Sequence, residues 1–92
     1  MHQMTFRKTI PHRELSVLIA SDTRRRSYVG IGPSADSEAK FVFIEIDRVT
    51  ELELERGTVD LTTVMTDRCA GMMFECTLAA VKSPPIGCRH GG

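Results

Sequence analysis

Apolar and polar residues alternate along most of this chain, which is the period of a β-strand with one buried face. The alternation is clear from Met4 to Ile10, from Phe41 to Asp47 and from Met72 to Ala80. The same period with β-branched residues runs from Val59 to Met65. We therefore predict a strand in each of these four segments.

Two further segments are less regular. Ser27 to Gly32 is predicted as a strand in which Gly30 and Gly32 indicate a bulge or a close approach of the backbone. Leu15 to Ala20 fits a strand by its alternation, but a short helix at 11–21 that follows a proline is an open alternative. We favour the strand.

The segment from Phe41 to Leu54 is predicted as two strands folded back at Asp47-Arg48. Its first half is apolar on one face and partly apolar on the other. Its second half alternates leucine with glutamate, which predicts an edge strand with a row of outward carboxylates that guards the sheet against pairing. The row consists of Glu51, Glu53 and Glu55.

These segments make six or seven short strands at intervals of about ten residues, with turn signals between them. The fold class is therefore mainly β, as a small antiparallel barrel or sandwich, with one short helix at 11–21 as the open alternative. We expect a single domain over residues 1–83 and a flexible C-terminal tail at 84–92, because Pro84-Pro85 stops strand pairing.

Charge changes the functional expectation. The 92 residues carry 12 basic and 12 acidic side chains, so the net charge is zero. A protein that holds nucleic acid mainly through phosphates is expected to be basic, so we favour a protein partner and keep nucleic acid as an alternative. A core of this small size also makes a homo-oligomer an expected state.

Location follows from the N-terminus and the cysteines. Met1 to Arg7 is mixed and polar, so we expect neither a secretory signal nor a membrane partner. The three cysteines are an odd number, which suits a reducing compartment better than a disulfide framework. We therefore expect a cytoplasmic protein.

The first candidate site is a basic turn. Arg24, Arg25 and Arg26 stand beside Tyr28, and guanidinium groups bind carboxylates or phosphates through paired hydrogen bonds. The alternative is a solvated turn. Phe41 and Phe43 are candidate apolar contacts of the same partner, or else core residues of a second buried face.

Metal and thiol chemistry is the second candidate. Three thiols and an imidazole could form a zinc site of three cysteines and one histidine, although no CxxC pair is present. A cysteine beside a histidine could also serve as a nucleophile. These residues are Cys69, Cys76, Cys88 and His90.

The chain ends in His90-Gly91-Gly92, shortly after Pro84-Pro85-Ile86. This end resembles the C-terminus of ubiquitin-like sulfur carriers, including those of the molybdopterin type. The resemblance implies a carrier that is adenylated and loaded with sulfur or an acyl group at Gly92.

A second resemblance covers residues 27–54, in which SYVGIG is followed by a polar loop and by IEIDRVTELEL. This stretch is similar to the strand, loop and hairpin of the Sm-like barrels in bacterial WYL regulatory domains. The resemblance implies a barrel that responds to a ligand or to nucleic acid.

The sequence as a whole predicts a small non-enzymatic binding or regulatory module without a cofactor, which docks onto a partner through Arg24, Arg25, Arg26, Tyr28, Phe41 and Phe43. The alternatives are the diglycine carrier and a small metal- or cysteine-dependent enzyme.

Overall fold

The computed structural model describes residues 3–68, 71 and 73–82. The strands are β1 (Met4–Ile10), β2 (Ser16–Ser21), β3 (Ser27–Gly32), β4 (Lys40–Ile46), β5 (Met73–Thr77) and β6 (Val81–Lys82). The helices are α1 (Arg48–Arg56) and α2 (Leu61–Asp67), and a 3₁₀ turn covers Leu78–Ala80. None of these helices in the described part of the chain is long and apolar enough to cross a bilayer.

All six strands belong to one sheet in the order β5-β4-β3-β2-β1-β6. The first five strands pair antiparallel with their neighbours, and β6 runs parallel to β1, with Val81 opposite Met4. The predicted mainly-β class is confirmed, and the ambiguous segment at 11–21 contains β2 rather than a helix. Within the described residues the strands form one sheet that ends at β5 and at β6, so closure into a barrel is not confirmed and no second sheet of a sandwich is present.

One face of the sheet is covered by both helices, and we call it the helix face. Leu54 of α1 and Val64 of α2 pack there against alternate residues of β2, β3 and β4. Val64 and Val29 are fully buried in this cluster. Burial of such side chains contributes about 1.5–3 kcal/mol each, which explains how short helices stay in place.

The opposite face carries Tyr28, Phe41 and Phe43, and we call it the aromatic face. The chain passes from β5 at one end of the sheet to β6 at the other through the three residues of the 3₁₀ turn. The two ends must therefore lie close together, so the sheet curls around the aromatic face. Leu78 and Val81 of this link pack against the aromatic cluster.

Two glycines let β3 approach the aromatic rings. A Cβ on Gly30 would lie 2.5 Å from Phe43 Cε2, and a Cβ on Gly32 would lie 2.5 Å from Phe41 Cε1. Gly30 is also the direct cross-strand neighbour of Phe43. The close backbone approach predicted from these glycines is confirmed.

The second half of the predicted hairpin is wrong, because residues 48–56 form α1. Asp47 caps the helix by accepting a hydrogen bond from Thr50 N at 2.8 Å. Gly57 ends it in the left-handed conformation, at φ 75°, and its N–H donates to the Leu54 carbonyl at 3.2 Å. The strand predicted from Val59 to Met65 is wrong for a similar reason, since Asp60 caps α2 through Thr63 N at 2.8 Å.

The row of glutamates consequently lies on α1 and does not guard a sheet edge. Glu51 is completely buried. Glu53 pairs with Arg68, and Glu55 pairs with Lys8 of β1. The carboxylates therefore connect α1 to β1 and to Arg68.

Candidate anion-binding site

The loop between β2 and β3 is organised around the carboxylate of Asp22. Asp22 Oδ1 accepts hydrogen bonds from the backbone N–H groups of Arg24 and Arg26, both at 2.9 Å. Asp22 Oδ2 accepts hydrogen bonds from Arg26 Nε at 2.8 Å and from the Tyr28 hydroxyl at 3.0 Å. Four donors on one carboxylate fix the loop and the points from which its arginine side chains extend.

The charge of Asp22 is stabilised by these bonds. Desolvation raises the pKa of Asp22, but the hydrogen bonds from Arg26, Tyr28 and Arg24 together outweigh it and hold the pKa below its ordinary value. The side-chain hydrogen bond to Asp22 in turn raises the pKa of Arg26. Burial, with a further contribution from Asp22, raises the pKa of Tyr28. Tyr28 is therefore a neutral donor, and the charge of Arg26 is balanced within the loop.

Arg24 and Arg25 differ from Arg26. Both are exposed, and neither side chain pairs with a carboxylate among the described residues. Arg25 has a φ of 67°, the left-handed region that residues with a Cβ rarely occupy. Its backbone N–H donates to the Asp22 carbonyl at 3.0 Å, which holds that conformation. The loop therefore presents guanidinium charge that is not neutralised locally.

A second carboxylate, Glu51 of α1, anchors the neighbouring strand. Glu51 Oε1 accepts a hydrogen bond from the Ser27 hydroxyl at 2.8 Å, and Arg7 Nη1 lies 3.1 Å from Glu51 Oε2. Lys8 Nζ lies 3.5 Å from the same Oε2. Because Glu51 is fully buried, its charge requires these cations, and they are held against the helix in return.

The residues held by these two carboxylates line a cavity of about 530 Å³. Its walls are formed by Arg7, Ser21, Arg25, Arg26, Ser27, Glu45, Ile46 and Arg48. The four arginines come from β1, from the β2–β3 loop and from the first position of α1. The N-terminus of α1, where the helix dipole is positive, lies at the same wall.

This arrangement suits an anion. Arg7 and Arg26 are balanced by Glu51 and Asp22, whereas Arg25 and Arg48 form no ion pair with a described residue. An ionised carboxylate or phosphate accepts paired hydrogen bonds from such guanidinium forks. Glu45 is the one acid among the described wall residues, and a carboxylate accepts hydrogen bonds from donor groups of a ligand.

The residues predicted as one partner site fall into two groups in the structure, arginines of the β2–β3 loop and aromatic residues of the core. Arg25 and Arg26 line the cavity, and Arg24 lies on the same loop outside the cavity wall. Tyr28, Phe41 and Phe43 are 0%, 1% and 0% exposed, so they are core residues of the aromatic face and present no apolar contact surface. The reason is the link between β5 and β6, which covers that face.

Sequence reasoning missed Arg48 as a site residue. It placed Arg48 at the corner of a hairpin, whereas the residue is the first of α1. The signals that point to the helix are Asp47 before it and Gly57 after its end, which match the preferences at helix termini.

The described residues do not test the metal and thiol hypothesis, because Cys76 is the one member of its four residues that lies among them. No group of three metal-ligating side chains occurs among residues 3–68, 71 and 73–82. Desolvation raises the pKa of the Cys76 thiol, which lowers its thiolate fraction. Cys69, Cys88 and His90, and the carrier residues Gly91 and Gly92, lie outside the described residues, so the tail hypotheses stay predictions.

Comparisons with protein-family models, with curated proteins and with solved structures found no match to this chain.

Proposed function

We propose that this chain is a non-enzymatic binding module that docks onto an acidic segment of a partner protein through its arginine-lined cavity. The observation that carries the proposal is the convergence of four guanidinium groups from three separate elements on one concave surface. Arg7 and Arg26 are fixed by Glu51 and Asp22 and shape the cavity. Arg25 and Arg48 supply the charge that is available to the partner.

Three features favour an acidic protein segment over nucleic acid. Proteins that bind single-stranded nucleic acid use exposed aromatic rings on which bases stack, but Tyr28, Phe41 and Phe43 are buried. A net charge of zero also provides no long-range attraction for a phosphate backbone. Glu45 in the cavity wall would repel a continuous polyanion, whereas a peptide can place a backbone N–H there.

The proposal is tested by the binding of a fluorescein-labelled hexaglutamate peptide, measured by fluorescence anisotropy at low salt. The double variant Arg25→Glu/Arg48→Glu should weaken binding at least about tenfold, because it replaces both unpaired guanidinium groups with carboxylates. Urea unfolding should show that the variant remains folded, since neither side chain forms an ion pair with a described residue.

The matched control is Arg13→Glu/Arg56→Glu, which changes the net charge equally at two exposed arginines outside the cavity. This control should change the affinity less than about threefold, because distant surface charges are screened. Equal losses in both double variants would contradict a specific site. Tighter binding of a labelled dodecathymidine that depends on Arg25 and Arg48 would replace the protein partner with nucleic acid.

Self-association stays a prediction. Light scattering of the full chain at several concentrations would measure it, and a single monomer mass throughout would contradict it.

A further inference from the structure

A second cavity, of about 380 Å³, opens at the other end of β2. The arginine cavity borders Ser21, the last residue of β2, whereas this one borders Ser16, the first. Its walls are mostly apolar and include Phe6, Leu15, Leu18, Phe41 and Leu78. The two cavities therefore occupy separate places on the sheet and present different chemistry.

The volume sets the size of a ligand. An apolar protein cavity of about 150 Å³ accommodates benzene, so about 380 Å³ accommodates an apolar body of roughly ten to fifteen non-hydrogen atoms. Pockets that bind small molecules have this range of volume and combine an apolar wall with a few polar groups that orient the ligand.

Each polar side chain at this cavity can donate a hydrogen bond. His12 Nδ1 accepts hydrogen bonds from the backbone N–H groups of Glu14, at 3.2 Å, and Leu15, at 3.1 Å. The ring proton therefore sits on Nε2, which is left as a donor. Thr9 and Ser16 contribute hydroxyl groups to the wall, and no described wall residue is acidic.

From this combination we infer that the cavity binds a small amphipathic carboxylate, with its apolar chain against the half-buried Phe6 and Leu78 and the exposed Leu15 and its carboxylate at the His12 end. This inference is independent of the proposed function, because it uses other residues and another ligand class. A ligand of this size is expected to bind with a Kd of about 10–500 µM.

The test is a titration of the full ¹⁵N-labelled chain with decanoate, followed by two-dimensional NMR. Decanoate should shift the amide signals of Leu15, Leu18 and Phe41 in a saturable way. Decanol and decylamine, which share the chain but lack the carboxylate, should bind at least about fivefold more weakly. Equal binding of the three compounds, or no saturable shift with decanoate, would overturn the inference.

Two pairs of variants locate the site. Ala35→Trp fills the cavity from an exposed loop and should weaken decanoate at least about tenfold, whereas the neighbouring Ser34→Trp, outside the wall, should leave affinity within about twofold. His12→Leu should abolish the preference for decanoate over decanol, and His12→Gln, which retains a donor, should keep part of it. Equal effects of Ala35→Trp and Ser34→Trp would overturn the proposed carboxylate site, and so would an unchanged preference in His12→Leu. Nuclear Overhauser contacts that place residues 84–92 in the cavity of the free protein would also overturn it.

Discussion

Gly30 and Gly32 determine how tightly the aromatic face is packed. Each provides the space into which a phenylalanine ring of the neighbouring strand fits. The Phe43 ring also stacks on Phe74, with centroids 5.7 Å apart, and Tyr28 meets Phe74 edge to face at 5.5 Å. The rings are therefore held from two sides and have little room to move away from the β3 backbone.

This packing predicts the effect of Gly30→Ala. The added Cβ would lie within 2.8 Å of two Phe43 ring atoms, so we expect the variant to lower the free energy of unfolding by about 1–3 kcal/mol. Urea denaturation measures the loss. In a Phe43→Leu background the same substitution should cost less than about 1 kcal/mol, because the ring that it meets is gone. An equal cost in both backgrounds would mean that the ring contact is not the cause.

At the same scale, the sequence was informative about glycine and less informative about aromatic residues. Glycine within a strand pattern has few explanations, and the close approach was the correct one. Phe41 and Phe43 lie on the second apolar face of β4, and alternation alone does not say whether that face is covered. Its cover is the link from β5 to β6, which depends on the pairing of Val81 with Met4, distant in sequence.

At the scale of elements, α1 and α2 were predicted as strands, because their residue pattern also fits the two-residue period of a strand. Leucine and glutamate alternate between residues 51 and 55, which satisfies the period of a strand, although both residue types are good helix formers. The helix is decided by its ends, which are Gly57 and the same Asp47 that the alternation places at the corner of a hairpin. In α2 the β-branched residues favour a strand locally, and the Asp60 cap and the burial of Val64 override that preference.

The end of α1 can be tested at Gly57. No atom lies within 4 Å of a Cβ built there, so the cost of a side chain comes only from the φ of 75°. We expect Gly57→Ala to lower the free energy of unfolding by about 1 kcal/mol and Gly57→Asn to lower it less, since asparagine tolerates the left-handed region. Urea midpoints with an unchanged slope would measure both variants. No loss in Gly57→Ala would contradict the helix end described here.

At the scale of the molecule, the fold joins its elements through carboxylates as well as through apolar cores. Asp22 fixes the β2–β3 loop, Asp47 caps α1, and Glu55 connects α1 with β1. Hydrogen bonds from Thr50 lower the pKa of Asp47, and the hydrogen bond from Lys8 lowers the pKa of Glu55. The hydrogen bonds that Asp22 accepts also lower its pKa, against the opposing effect of desolvation. The candidate arginine cavity depends on the same design, because Asp22 and Glu51 hold two of its four guanidinium groups.

This dependence predicts how stability changes with pH. A carboxyl group whose pKa is lower in the folded state binds fewer protons there than in the unfolded chain. Its contribution is therefore complete above the ordinary pKa, 3.8 for aspartate, and is lost as the pH falls through the folded value. We expect the free energy of unfolding to decline below about pH 4.

Asp22→Asn tests the largest of these networks, because the side chain of Asp22 is only 8% exposed and accepts four hydrogen bonds. The variant should be less stable than the parent by about 1–3 kcal/mol at pH 7, and the difference should shrink at pH 3, where the parent also begins to lose the charge. Asp67→Asn is the matched control, since Asp67 accepts no side-chain hydrogen bond from a described residue and should show little difference at either pH. A deficit in Asp22→Asn that is the same at pH 7 and pH 3 would show that the ionised carboxylate is not what holds the arginine loop.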